Sequence, residues 1–164
     1  IGYRAALGSA TAANQIMIGT DVSSAGGDNS VNFGKYGNVV YNVFTSNATW
    51  TRSSDQRLKK NIVSNTDGLD LVNKIQVRNF EYRLPEEVDP ELKSTDAIAK
   101  QGVQLGVIAQ ELQQVLPDCV KQETTGVLSV DPDNLTWYTI NAIKELKAEL
   151  DAAKAEIAAL KGQA

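Results

Sequence analysis

The sequence contains no histidine and a single cysteine, Cys119. Histidine is the usual base of serine and cysteine hydrolases and a common zinc ligand, so its absence excludes Ser-His-Asp and Cys-His catalysis and most zinc sites. One cysteine allows no internal disulfide. A nucleophile in this chain therefore needs a different base, and we expect neither a metal nor another cofactor.

Long apolar runs and concentrated positive charge are also missing. No stretch reaches the ~20 apolar residues of a membrane span, and no signal peptide is recognisable. The 16 Lys and Arg are scattered and are outnumbered by 20 Asp and Glu, which gives a net charge of -4. Because phosphate binding needs a basic face, we expect no nucleic-acid partner. Because no apolar run is long enough to span a bilayer, we expect no membrane partner either. The chain begins at Ile1 rather than Met, so we expect a fragment of a longer protein.

Charge and proline are scarce in the first third of the chain. Residues 1–53 hold five charged side chains and no proline, whereas residues 54–164 hold the other 31 and all four prolines. This contrast predicts two folding units. In the first, short strands separated by Gly, Asn, Ser and Asp are predicted over NQIMIG, SVNFG and NVVYNVF. Such strands are too few to close a core alone, so we expect them to need partner chains or further repeats.

The second unit mixes helix and strand patterns, which predicts an α+β domain. A short helix is predicted from Leu58 to Ile62, and another over TDGLDLVNKI with Thr66 or Asp67 as its N-cap. Alternation predicts a strand over NFEYRL. Residues 85–101, with two prolines and no period, predict an exposed loop.

Three further elements are predicted beyond that loop. VQLGVIAQELQQVLP predicts a strand and then a helix that stops at Pro117, and CVKQETTGVLSV predicts a hairpin that turns at Thr125 and Gly126. A long C-terminal helix is predicted over residues 131–161, with Asp131 as N-cap and Pro132 in the first turn. Apolar residues on it alternate in steps of three and four: Ile143, Leu146, Leu150, Ala153, Ile157 and Leu160. These heptads predict a coiled coil, but they do not determine how many helices it contains. A helix packed on its own domain is the alternative.

The stretch RSSDQRLKKNI, residues 52–62, has two interpretations. Ser53 and Gln56 match a capping box, and Asp55 favours the positive end of a helix dipole, which together predict a helix start. The other interpretation pairs Ser54 with a lysine five residues later. Because five residues turn through about 140° on a regular helix, such a pair requires Ser54 outside the helix and the lysine reaching back.

Four segments follow one another in an order that is specific: SDQRLKKNI, GVIAQELQQVLP, LSVD and AIKELKAEL. With them, residues 54–164 resemble the peptidase S74 family, the self-cleaving C-terminal intramolecular chaperones of phage tailspikes and tail fibres, also found in myelin regulatory factors. The segment SVDP departs from that pattern, which often has an aromatic after the Asp. Residues 1–53 resemble glycine-rich repeats of fibre shafts only loosely.

The resemblance implies a homotrimer in which residues 1–53 end a β-rich fibre shaft and residues 54–164 form a chaperone and autoprotease domain. It implies a single self-inflicted cut of the Ser53–Ser54 bond, with Ser54 as nucleophile and Lys59 as general base. Lys59 then has to lose its proton, through desolvation or through cations such as Arg57 or Lys60.

The resemblance also implies partners and a place. The partners are copies of the chain itself and the upstream shaft of the same and neighbouring chains. The fibre precursor assembles in the host cytoplasm, and the released chaperone is absent from the mature virion fibre. Two alternatives of other classes are a trimerisation cap that never cuts and a receptor-binding fibre tip. A transcription-factor relative is less favoured, since no DNA-binding or membrane segment is recognisable.

Overall fold

A computed structural model describes residues 1–36, 38–46 and 48–162 of the chain. The chain divides into two units, residues 1–63 and residues 64–164. Each unit has its own small core. Strands dominate the first unit and a long C-terminal helix ends the second, so the fold is mixed α+β, as the sequence predicts.

The first unit is built on a four-stranded sheet. Its strands are β1 Gln15–Thr20, β2 Ser30–Lys35, β3 Asn38–Val43 and β4 Thr51–Arg52. They lie side by side in chain order, with β1 parallel to β2 and the other two pairs antiparallel. The three predicted strands are confirmed. The sequence does not predict β4, since two polar residues carry no alternating pattern.

A repeat in the chain explains the parallel pair. Gln15 pairs with Ser30 and Thr20 with Lys35, so each residue of β1 lies beside the residue 15 positions later in β2. Gly2, Gly19 and Gly34 each precede, by two positions, a residue with positive φ: Arg4, Asp21 and Tyr36. A Cβ added at Gly19 would overlap the Gly34 carbonyl oxygen. The successive turns of chain therefore stack closely because this position is glycine.

The core of the first unit combines apolar and polar side chains. Its buried apolar members are Met17, Val22 and Val39. Asn32 and Ser30 are fully buried beside them, at 0% exposure. Asn32 Oδ1 accepts hydrogen bonds from the backbone N–H groups of Ala25 and Gly26, at 3.1 and 3.4 Å, and Asn32 Nδ2 donates to Ser30 Oγ at 2.9 Å. This network ties the loop between β1 and β2 to the sheet.

Over its described residues, 64–162, the second unit contains three α-helices and two small two-stranded sheets. The elements are α1 Leu69–Val72, β5 Arg78–Phe80, β6 Gln104–Gly106, α2 Ala109–Val115, β7 Val120–Gln122, β8 Leu128–Val130 and α3 Leu135–Lys161. β5 pairs with β6, and β7 pairs with β8, both antiparallel. The buried core is formed by Leu112, Leu116, Cys119 and Val120. The predicted strand and helix before Pro117 and the hairpin turn at Thr125 and Gly126 are confirmed.

Helix α1 is shorter than predicted and has a different cap. Neither Thr66 nor Asp67 is the N-cap, which is Gly68 without a side-chain hydrogen bond. The Leu69 N–H donates instead to Glu145 Oε2 of α3, at 2.6 Å. The prediction was wrong because the capping acceptor comes from a residue 76 positions later, which a local pattern does not reveal.

The predicted start of the last helix at Asp131 is also wrong. Helix α3 begins at Leu135, with Asn134 as N-cap. The Asp131 carboxylate accepts hydrogen bonds from Lys121 Nζ on β7 and from the backbone N–H of Asp133. Asp131 therefore belongs to a turn that follows the hairpin, and the helix starts after that turn.

The strand predicted over NFEYRL ends early. β5 stops at Phe80 because its partner β6 offers only three residues for pairing. The Phe80 and Tyr82 rings pack edge to face, with centroids 5.3 Å apart. Residues 85–101 form the predicted loop, which is largely exposed and includes a short 3₁₀ helix, Ser94–Asp96.

Candidate functional site

The Ser53–Ser54 bond lies directly after β4, at the end of the sheet of the first unit. Arg52 pairs with Val40 of β3, so the sheet fixes the chain up to the residue before Ser53. Ser53 and Ser54 are both exposed and belong to neither helix nor strand. The backbone on one side of the bond is thus held, while the bond itself is accessible.

A single 3₁₀ turn, Gln56–Leu58, follows the two serines. Its N-cap is Asp55, whose Oδ1 accepts a hydrogen bond from the Arg57 N–H at 2.8 Å. The predicted capping box of Ser53 with Gln56 is therefore wrong, because Ser53 lies two residues before the cap. A carboxylate accepts this hydrogen bond more strongly than a hydroxyl does, which favours Asp55 as the cap.

The turn ends sooner than the predicted helix from Leu58 to Ile62. At Lys59 the backbone is already extended, with φ of -119° and ψ of 149°. No residue of the turn is buried. Without a buried face to support it, the turn is not continued into a helix.

The turn brings Ser54 and Lys59 into contact. Lys59 Nζ lies 2.6 Å from Ser54 Oγ, within hydrogen-bonding distance. Ser54 stands outside the turn and Lys59 reaches back, which is the arrangement that a pair five residues apart requires. An amine and a hydroxyl at this distance can exchange a proton. The catalytic roles of the two residues stay a prediction.

Asp55 and Arg57 form a forked ion pair within the same turn. Arg57 Nε lies 3.0 Å from Asp55 Oδ1, and Arg57 Nη2 lies 2.7 Å from Asp55 Oδ2. The hydrogen bond from the Arg57 side chain, followed by that from its backbone N–H, lowers the pKa of Asp55, and the same side-chain contact raises the pKa of Arg57. Both groups therefore stay charged at neutral pH. This ion pair is not among the sequence predictions, although an Asp followed two residues later by an Arg is the local signal for it.

Three large apolar side chains within four residues of Lys59 in the sequence are exposed. Leu58 is 73% exposed, Ile62 63% and Val63 85%. Water ordinarily disfavours such a cluster, and exposed apolar patches mark interaction sites. The segment that contains Lys59 therefore exposes three large apolar side chains to water.

A second candidate surface runs along α3. We call it the α3 seam, and it consists of Ile143, Leu146, Leu150, Ala153, Ile157 and Leu160, all exposed. At the start of the helix, Ala142 is buried and Glu145 caps α1. From residue 146 to residue 162 every residue is exposed, so this part of α3 does not pack on its own domain.

Other chemistry in the described residues is limited. Burial, followed by the charges of Asp118 and Asp131, raises the pKa of Cys119, and a buried protonated thiol is a poor nucleophile. Among residues 1–36, 38–46 and 48–162, no group of three or more Cys, Asp or Glu is placed to hold a metal ion. In the same ranges, no helix combines the length and the apolar character needed to cross a membrane.

Comparison with known proteins finds a matching family and similar curated proteins. Residues 54–121 match the peptidase S74 family, described as chaperone of endosialidase. The chain is also similar to myelin gene regulatory factor-like A of Dictyostelium discoideum, with 29% identity over 120 residues. This alignment covers 63% of the chain but only 12% of the length of that relative. The family match begins at Ser54 and includes Lys59.

Proposed function

Residues 54–121 are a peptidase S74 domain, and from this premise we propose that the chain is an intramolecular chaperone that trimerises a fibre and then cuts itself off. The family as a whole has a role of the chaperone and autoproteolysis type. The cut we propose is at the Ser53–Ser54 bond. The observation that carries the proposal is the 2.6 Å contact between Lys59 Nζ and Ser54 Oγ, at the first residue of the matched segment.

The proposed reaction uses neutral Lys59 as the base. Its Nζ takes the proton from the Ser54 hydroxyl, and Oγ attacks the carbonyl carbon of Ser53. The bond between that carbon and the Ser54 nitrogen breaks, and the nitrogen takes the proton back from Lys59. The product is an ester that joins Ser53 to Ser54 Oγ. Water then hydrolyses the ester, leaving a carboxylate on Ser53 and a free amine and hydroxyl on Ser54.

This reaction requires Lys59 to lose its proton, which an amine in water does poorly at neutral pH. Lys59 is exposed in the single chain, and the exposed apolar side chains of Leu58, Ile62 and Val63 lie close to it in sequence. We propose that assembly covers this apolar group and removes water from Lys59. Cleavage is then linked to assembly, because the base becomes effective only in the assembled protein.

The α3 seam supports the proposal of a trimer. It leaves three heptads of apolar side chains exposed on a helix that extends beyond its own domain. Burying them against copies of the same helix gives a coiled coil, with the hydrophobic effect as the driving force. The number three comes from the family, whose domains act within trimeric fibres.

The reason for a temporary trimer lies in the fibre. Chains of a three-stranded fibre have to be aligned over long separations, and the entropy of that alignment makes nucleation slow. A C-terminal domain that trimerises first supplies the alignment. We propose that this happens in the host cytoplasm of a phage tail fibre or tailspike, with residues 1–53 at the end of the shaft. Release of the chaperone leaves the mature fibre kinetically stable, because its template is gone.

Mass spectrometry of the purified chain and three variants tests the proposal. Wild type should give fragments 1–53 and 54–164, whereas Ser54→Ala and Lys59→Ala should stay intact. Ser53→Ala is the control, since it keeps the attacked carbonyl and should still be cut. A wild-type chain that stays intact would favour a permanent trimerisation cap. Cleaved chaperone that stays on virions would favour a receptor-binding tip.

A further inference from the structure

The four hydrogen bonds between Asp55 and Arg57 lie in the segment that separates Ser54 from Lys59. One runs from the Arg57 backbone N–H, two from Arg57 Nε, and one from Arg57 Nη2, all to the Asp55 carboxylate and all between 2.7 and 3.2 Å. We call these four hydrogen bonds the Asp55–Arg57 clamp. A bidentate contact of this kind fixes the direction of a guanidinium as well as its distance.

Little else holds the turn in its conformation. The backbone contributes two hydrogen bonds, from the Leu58 N–H to the Asp55 carbonyl and from the Lys59 N–H to the Gln56 carbonyl, both at 3.0 Å. No side chain of the turn is buried, so core packing does not restrain it. An isolated turn of this length is marginal in water. Its side-chain contacts therefore decide how often it is formed.

We propose that Asp55 and Arg57 are positioning residues, whose clamp keeps the turn formed so that Lys59 Nζ stays on Ser54 Oγ. This inference rests on the proposed function, since it concerns the rate of the proposed cut. Neither residue touches the reacting atoms in this arrangement: the Asp55 carboxylate faces Arg57 rather than Ser54 or Lys59. Both act through the backbone between the two predicted catalytic residues.

The charge balance of the clamp argues against two other roles, Arg57 as the cation that deprotonates Lys59 and Asp55 as a base for Ser54. Because the Arg57 guanidinium is matched by the Asp55 carboxylate, it is a weak source of positive potential for expelling the proton of Lys59. Because the carboxylate is engaged by Arg57, it is a poor base for the Ser54 hydroxyl. The hydrogen bond from Arg57 lowers the pKa of Asp55 below the ordinary carboxyl pKa of about 3.9. The clamp is therefore fully formed above that pH and is lost only as the pH falls through the lowered pKa of the folded chain. The clamp therefore stays intact over the whole range in which cleavage would be measured.

Three variants of the full chain separate the parts of the clamp. Asp55→Asn keeps an oxygen that can accept from the Arg57 N–H but loses the charged fork, and Arg57→Gln loses the fork from the other side. Asp55→Ala loses the fork and the cap together. Gln56→Ala is the matched control, because it lies in the same turn and its backbone carbonyl is retained.

Cleavage is followed by intact mass after cell-free synthesis, with samples quenched at intervals from pH 6 to pH 9. We expect Asp55→Ala to cut about 10- to 100-fold more slowly than wild type, as small displacements of reacting groups do. Asp55→Asn and Arg57→Gln should each be slowed less, and their combination should be no slower than the slower single variant, since both remove one interaction. The pH profile of each variant should run parallel to that of wild type, and Gln56→Ala should match it.

The possible outcomes distinguish the inference from the function on which it rests. If wild type is never cut, the proposed function is wrong. If wild type is cut and Asp55→Ala is cut equally fast, the function stands and the positioning role is wrong. A shifted pH profile in Asp55→Asn would show that Asp55 acts on the base directly, which also overturns the positioning role. Light scattering completes the test, because slow cleavage accompanied by loss of the assembled state would assign Asp55 to folding instead.

Discussion

Asn32 is a buried polar residue whose hydrogen bonds should matter for stability. In Asn32→Leu, the part-buried N–H groups of Ala25 and Gly26 lose their acceptor, while the Ser30 hydroxyl keeps its hydrogen bond to the Gly27 carbonyl. Leaving such groups unpaired costs about 1–3 kcal/mol, so we expect the free energy of unfolding to fall by that amount. Denaturant unfolding in a Ser54→Ala background measures it without interference from cleavage.

The control for this variant is Ile16→Ala, on the exposed side of β1. Ile16 is 51% exposed, so its truncation should change the free energy of unfolding by no more than about 0.5 kcal/mol. Equal effects of the two substitutions would contradict a structural role for the buried network.

Individual residues of the candidate site were partly predictable. Ser54 and Lys59 were identified through resemblance, and their spacing required a turn that brings Lys59 back, which is what the structure has. The cap was not predicted correctly: Ser53 fits a motif of regular helices, whereas Asp55 is the better acceptor for a short 3₁₀ turn. In the proposed assembly, Lys59 is covered by groups outside its own segment, and a sequence motif of nine residues does not contain them.

The ion pair between Arg78 of β5 and Glu111 of α2 gives a pH-dependent prediction. Both nitrogens of the Arg78 fork lie within 3.0 Å of the Glu111 carboxylate. The hydrogen bond from Arg78 lowers the pKa of Glu111 in the folded chain. The pair therefore stabilises the fold above the unfolded-state pKa of about 4.3, and this stability is lost as the pH falls through the lower folded-state pKa. Glu111→Gln should lower the thermal midpoint slightly at pH 7 and leave it unchanged near pH 2.

Calorimetry at the two pH values checks this expectation. Glu86→Gln, in the exposed loop of residues 85–101, is the control, and we expect no difference from wild type at either pH. If Glu111→Gln lowers the thermal midpoint equally at pH 7 and near pH 2, Glu111 stabilises the fold through packing rather than through its charge.

Secondary-structure elements with local signals were predictable, and those with distant partners were not. The strands β1 to β3 and the hairpin at Gly126 follow from alternation and turn residues, which lie in the segments themselves. The cap of α1 comes from Glu145, and Asp131 is drawn into a turn by Lys121. In both cases a tertiary hydrogen bond outweighs a local preference.

The proposed assembly of the protein depends on the α3 seam. Replacing both Leu146 and Leu150 with Asp places charge where the proposed coiled coil is buried, at a cost of several kcal/mol. We expect the double variant to be monomeric or misfolded in light scattering, whereas wild type should be a trimer. If assembly also covers Lys59, the double variant should be cut more slowly than wild type.

Ala148→Asp is the matched control for the seam. Ala148 lies between the two leucines in sequence but on the opposite side of the helix, so the added charge stays in water. This variant should remain trimeric and be cut at the wild-type rate. A wild-type chain that is a stable monomer would contradict the trimer and leave the exposed seam without an explanation.

The most direct test of the account is the mass of the fragment that ends at Ser53, measured after cleavage with and without hydroxylamine. An ester between Ser53 and Ser54 Oγ is open to hydroxylamine, which an amide resists under the same mild conditions. We predict a fragment 1–53 that carries a hydroxamate when hydroxylamine is present and a carboxylate when it is absent. An intact chain after prolonged incubation, or a cut at any other bond, would contradict the proposal that Ser54 cleaves the bond before it.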